Sequence, residues 1–164
     1  MARIATIISG GQSGVDRAAL DVAIERGIAY RGFVPMGGWA EDFLRAPGLL
    51  ARYPGLVETA SRDPKVRTEK NVLAADVTLV IVPGRGAAAS GGTDHTIEMA
   101  ARHGKPCLII DASDPGSFAE AAAALREIEG DISLNVAGPR ESEAPGIYAA
   151  ARRALEELLS GLEN

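Results

Sequence analysis

The chain has 164 residues, 46% of them hydrophobic and only 4% aromatic, with a formal net charge of −5. That length fits one domain, residues 1–164, able to bury about 70% of its unfolded surface. The acidic balance argues against a nucleic-acid or anionic-membrane surface, while leaving room for a small anionic ligand. The single cysteine, Cys107, excludes an internal disulfide. No apolar run approaches the length of about 18 residues that a membrane span needs. The N-terminus also lacks a signal-peptide layout, so a cytoplasmic protein is expected.

A first strand is expected over Ile4–Ile8, ending at Ser9-Gly10-Gly11-Gln12-Ser13-Gly14. A helix follows over Val15–Arg26, with Val15, Ala18, Ala19, Val22 and Ala23 on one face and Gly27 as its stop. A weaker strand lies over Tyr30–Val34. The segment Pro35–Gly55, with Met36-Gly37-Gly38-Trp39 and three prolines, reads as a lid in which Trp39 stacks on a planar ligand. Anchoring of that loop by Trp39 is the alternative. A short edge strand over Leu56–Thr59 would raise the strand count from five to six. Asp63 then caps a helix over Pro64–Ala75, with Pro64 at its first position. The remaining pattern alternates: strand Val77–Val82, helix Asp94–His103 stopped by Gly104, strand Cys107–Ile110, helix Ser117–Glu129 behind Asp114-Pro115, strand Ile132–Val136, and helix Gly146–Leu162 behind Pro145. Continuous apolar strands alternating with helices imply a single-domain, doubly wound α/β sheet, mostly parallel, with helices on both faces.

In such a sheet, ligands bind beyond the carboxyl ends of the strands, where strand order reverses. Three loops are expected there. The Ser9–Gly14 loop matches neither the dinucleotide fingerprint nor a P-loop. It is read as a nest of bare N–H groups at a helix N-terminus, suited to phosphate, and a side chain at Gly11 is expected to block it. The loop Pro83–Asp94 contains Ser90-Gly91-Gly92-Thr93 directly before a helix. The loop from Ala137 to Ser142 offers Arg140 for a bidentate contact. Arg67 and Asn71, four apart, share a helix face, while Thr93, Thr96 and Glu98 sit near the start of the next helix. Spacing alone makes Arg67, Asn71 and Glu98 ordinary solvated helix residues. No metal site is expected, since His95 and His103 are eight residues apart on one helix and Cys107 lies in a strand. No nucleophile elbow supports a Ser-His-Asp set.

The segments Ser9-Gly10-Gly11-Gln12-Ser13-Gly14-Val15-Asp16-Arg17-Ala18-Ala19-Leu20-Asp21 and Leu134-Asn135-Val136-Ala137-Gly138-Pro139-Arg140-Glu141-Ser142 resemble the family labelled putative molybdenum carrier. So do Arg67-Thr68-Glu69-Lys70-Asn71, Gly91-Gly92-Thr93 and Ala101-Arg102-His103-Gly104-Lys105-Pro106, so the resemblance spans the chain. It implies a Rossmann-like fold in the superfamily of the LOG phosphoribohydrolases. It also implies binding of molybdenum cofactor, a pterin with a phosphate, with Asp16, Arg17 and Asn71 as candidate contacts beside the loop residues Ser9, Gly10, Gly11, Gln12, Ser13, Gly14, Ser90, Gly91, Gly92, Thr93 and Arg140.

In the LOG pattern an Arg stands nine residues before the Asp of an Ala-Asp pair, and a Glu closes a Pro-Gly-Gly-x-Gly-Thr-x-x-Glu run. Arg67 keeps that distance to Asp76, and Glu98 keeps its place after Gly91. Ser90, Asp94 and His95 depart from the pattern, which favours binding over hydrolysis. Two readings follow: a binding protein for a phosphate-bearing heterocycle, or a nucleoside 5′-monophosphate phosphoribohydrolase. In the second, Glu98 assists water attack and Arg67 orients the substrate. The alanine-rich stretches Ala119–Ala124 and Ala149–Ala151, together with the resemblance, point to a homodimer or homotetramer.

Overall fold

A computed structural model describes residues 2–84 and 91–164. Six strands lie among them: β1 (Arg3–Ile8), β2 (Ala29–Val34), β3 (Leu56–Glu58), β4 (Val77–Val82), β5 (Cys107–Asp111) and β6 (Asp131–Ala137). Six helices alternate with these: α1 (Val15–Arg26), α2 (Leu49–Arg52), α3 (Pro64–Ala74), α4 (Gly91–Arg102), α5 (Pro115–Arg126) and α6 (Ile147–Glu163). The strands form one parallel sheet in the order β3-β2-β1-β6-β4-β5. From β1 the chain steps outward through β2 to β3, then crosses to β4 and β5, and β6 returns between β1 and β4. Were β6 and α6 to precede β1, every step on that side would reach the next neighbour. The order therefore reverses between β6 and β4.

Side chains alternate across the strands, so each face of the sheet has its own cover. On one face Val77, Leu79 and Ile81 of β4 join α1, α5 and α6 in the main core, with Val22, Phe118, Leu125, Leu155 and Leu158. A smaller cluster of Val72, Met99 and Ala100, with Cys107 against it, joins α3 to α4. At the β3 edge, Leu20, Val34, Leu49, Tyr53 and Leu56 form a third cluster.

The caps are those the proline positions predict. Asp63 accepts from Lys65 N–H at 3.0 Å and Asp114 from Gly116 N–H at 3.0 Å, contributions of about 0.5–2 kcal/mol each. Because Asp114 is the cap, α5 begins at Pro115, two residues before the expected Ser117. α4 is described from Gly91 onward, so both glycines of the Gly91-Gly92 pair are helical. The single turn α2 carries too little periodicity to be read from sequence. Of the expected alanine stripe, Ala121, Ala122 and Ala151 are buried in the protein's own core, leaving Ala119, Ala123, Ala124 and Ala149 exposed. Among the described residues, no helix is long and apolar enough to cross a membrane.

Candidate functional site

A cleft of about 260 Å³ opens beyond the carboxyl end of β6, beside the reversal of strand order. All three expected segments reach it: Gly10 and Gln12 after β1, Gly91 and Gly92 in the first described turn of α4, and Ala137 at the end of β6 with Gly138 and Arg140 after it. The fourth wall is the first half of α3 with its cap: Asp63, Lys65, Arg67, Thr68 and Asn71, of which Arg67 and Asn71 were candidates from sequence. The first turns of α3 and of the described part of α4 converge on one space, where helix dipoles favour an anion, while at α3 the Lys65 N–H is already taken by the Asp63 cap.

Arg67 is the central cation. Its side chain is 11% exposed, and Nη1 donates to Asp16 Oδ2 at 3.1 Å. Its buried Nε has no hydrogen-bond partner among the described residues. A buried donor left unpaired costs about 1–3 kcal/mol, a cost that a ligand acceptor would remove. Asp16, also buried, accepts from Gln12 N–H at 3.3 Å as well. Burial pushes its carboxyl above the usual range, and the Arg67 guanidinium opposes that shift. His95 lines the same cleft, and its buried Nε2 likewise lacks a partner among the described residues.

The expected nest of bare N–H groups in the first loop is absent at three positions. Gly11 N–H donates to Ser9 Oγ at 3.1 Å, Gln12 N–H to Asp16, and Ser13 N–H to Gln12 Oε1 at 3.1 Å. Ser9 in turn donates to the Asp16 carbonyl at 2.8 Å. Small polar side chains, read from sequence as ligand contacts, here hold the loop closed upon itself. Gly11 faces away from the cleft: a Cβ there would meet Leu49 Cδ1 at 2.9 Å, so a side chain would strike the β3-edge cluster instead of blocking the site. Gly14 lets the loop after β6 approach, since a Cβ on it would stand 2.4 Å from the Pro139 carbonyl oxygen.

Arg17 also serves the loop. Its fork donates to both oxygens of Asp42 at 2.8 Å and to the Gly11 carbonyl. It lies outside the cleft lining and instead lines a second hollow together with Asp21, Asp42 and Tyr148. Asp42 belongs to the 35–55 loop, and so does Glu41, which accepts from the hydroxyls of Ser13 and Ser142 and donates its N–H to Gln12 Oε1. Burial alone would raise the Glu41 pKa, but those hydroxyls hold it below its usual value. The expected lid is thus a tied strap. Trp39 does not line the cleft and instead stacks with Arg140 at 5.8 Å.

Asn71 lines the cleft but fixes α3 to β2, accepting from Phe33 N–H at 2.7 Å and donating to its carbonyl at 3.0 Å. Arg140 is part-exposed on the rim beside Glu143, 3.7 Å away. Thr93 is buried and Glu98 is exposed, and neither lines the cleft. Ser90 lies outside the described residues. Sequence reasoning missed Lys65, Thr68, Asn135 and Glu143. The helix N-terminus marked by Asp63-Pro64, falling after an edge strand, was the signal that could have found the first two.

A family model described as the circularly permutated YpsA SLOG family matches residues 7–159. That description agrees with a sheet in which β6 and α6 complete the series that β1 continues. Among solved structures, one described as a putative molybdenum carrier protein from Syntrophus aciditrophicus SB is 42% identical. It covers 95% of each chain with a TM-score of 0.80. No curated protein matches the chain.

Proposed function

Because the chain belongs to the circularly permutated YpsA SLOG family, we propose that its cleft binds a small phosphate-bearing heterocycle. The anionic end sits against Arg67, between the starts of α3 and α4. The observation that carries this reading is the buried Arg67 guanidinium, held by Asp16 on one side and left with an unpaired Nε. A cation so desolvated is stabilised by a second anion more than an exposed one would be. Lys65 and Arg140 line the same space and add positive charge at its margins, and His95 brings a buried ring nitrogen without a partner among the described residues.

The candidate cargo is molybdenum cofactor; the description of the similar solved structure as a putative molybdenum carrier protein supports a molybdenum-bearing ligand. The residues fit its two parts. Arg67 and the α3 and α4 N-termini suit the phosphate, and Thr68 and Asn135 offer polar edges to a pterin. A volume of about 260 Å³ lies near the lower end for small-molecule pockets, about 300–1,000 Å³. That favours one ring system with one phosphate over a dinucleotide. Glycosidic hydrolysis is not part of this proposal, because Glu98 is exposed on α4 and does not line the cleft.

Thermal unfolding with phosphate, sulfate and molybdate tests the reading. Anion at about 100 times Kd is expected to stabilise the protein by roughly 2.7 kcal/mol. A melting temperature unmoved by all three anions would refute an anion site.

A further inference from the structure

We propose that Asp16 is the proton-accepting partner of this site: a dianion that docks on Arg67 enters together with a proton, which the Asp16 carboxylate takes from solvent. The inference rests on the anion-site reading above and adds the ionic form in which the site accepts its guest.

The geometry puts two anions on one cation. Asp16 stands on the first turn of α1, 6% exposed, and lines the cleft together with Arg67. Its Oδ2 shares the Arg67 Nη1 proton at 3.1 Å and the Gln12 N–H at 3.3 Å. Arg17, one residue along, turns its fork to Asp42 and the Gly11 carbonyl, so Arg67 carries the neutralisation of Asp16. The other charged or titratable groups around the cleft are Asp63 and Lys65 from α3, His95 from α4, and Arg140 with Glu143 from the loop after β6.

A ligand oxygen accepting from Arg67 Nε divides that guanidinium between ligand and Asp16. The buried carboxylate then keeps its desolvation, loses part of its counter-charge and gains a like charge nearby. All three effects favour its neutral form. Once protonated, Asp16 can donate an O–H to the bound anion, replacing repulsion with a hydrogen bond. By linkage, binding tightens as pH falls, by up to about tenfold per pH unit, between the Asp16 pKa in the free and the bound protein.

Sulfate is the probe, because it carries no titrating proton in the neutral range. Calorimetry of sulfate binding in two buffers of different ionisation enthalpy counts the protons exchanged. The expected result is uptake of about one proton per sulfate, with affinity falling as pH rises. Asp16→Asn is expected to bind sulfate with no proton uptake and a flat pH profile. A purely structural role would instead lose binding. His95→Gln is expected to keep the uptake. Sulfate binding by wild type without proton uptake would overturn the proposal, as would uptake that survives in Asp16→Asn or vanishes in His95→Gln. Should Asp16→Asn fail to fold, the wild-type proton count and His95→Gln still decide. Absence of any sulfate binding by wild type would defeat the anion-site reading itself, and this inference with it.

Discussion

Arg67 lies across the backbone of Gly10, so that a methyl group on Gly10 would stand 1.7 Å from Arg67 Nη1 and 2.9 Å from its Cζ. Gly10 has no positive φ, so the requirement is for space and not for a left-handed backbone. Gly10→Ala is therefore expected to expel the guanidinium and abolish anion-dependent stabilisation. Overpacking of this kind costs about 1–3 kcal/mol, measurable by chemical denaturation. Gly11→Val, strained by its φ of +70 and aimed at Leu49, is expected to lower stability while keeping the anion response in whatever fraction folds.

Arg67→Met keeps the aliphatic stem and removes the fork. A hydrogen bond to a charged group contributes about 1.5–3 kcal/mol, so sulfate affinity is expected to fall about 10- to 100-fold. Arg140→Met, on the rim and beside Glu143, is expected to weaken binding by a few-fold at most. Equal losses in the two variants would remove Arg67 from the centre of the site.

The strap over the first loop carries its own pH dependence. Hydrogen bonds from Arg17 hold Asp42 below the usual carboxylate range. A lowered folded-state pKa gives stability that is present above the unfolded value, about 3.9, and lost as pH falls through the folded one. Asp42 is 46% exposed, so solvent screening limits its share to about 1 kcal/mol or less. Melting temperature is expected to drop below about pH 4 in wild type and to drop less steeply in Asp42→Asn. Identical profiles would show that the Arg17–Asp42 pair contributes nothing to stability.

The strand and helix pattern was legible because the inner strands β1, β4 and β6 carry largely buried apolar runs, while the more exposed β2 and β3 read weakly, and because Asp63-Pro64 and Asp114-Pro115 mark their helices locally. Placement of the three loops followed from the same pattern, since strand ends locate loops. The direction of individual side chains did not. Ser9, Gln12 and Ser13 read as ligand contacts because their chemistry suits an anion, yet tertiary folding turned Ser9 and Gln12 onto backbone N–H groups of their own loop and Ser13 onto Glu41 and the Glu141 N–H. The roles of Arg67 and Asp16 depend on a contact between residues 51 positions apart, which spacing along one helix cannot show. The strap was misread as a lid because its ties run from Glu41 and Asp42 to residues far along the chain.

Glu98→Gln separates binding from hydrolysis. With Glu98 exposed and outside the cleft lining, the substitution is expected to leave sulfate affinity unchanged. No free base is expected from a nucleoside monophosphate with either protein. General acid–base assistance is worth about 10²–10⁴-fold, so base release by wild type that Glu98→Gln abolishes would establish a hydrolase in place of a carrier.

Assembly is expected to use the alanines left exposed on α5 and α6, Ala119, Ala123, Ala124 and Ala149. Light scattering is expected to give two or four times the chain mass of 17.0 kDa. The mass of a single chain at micromolar concentration would contradict this.

The central claim is that the cleft over Arg67 holds the anionic end of the ligand. Diffraction from crystals soaked in molybdate, recorded at a wavelength where molybdenum scatters anomalously, tests it most directly. The account predicts a peak within hydrogen-bond reach of Arg67 Nε, between Gly10 and the start of α4. A peak found only in the hollow beside Arg17 and Tyr148, or none in the Arg67 cleft at saturating molybdate, would contradict it.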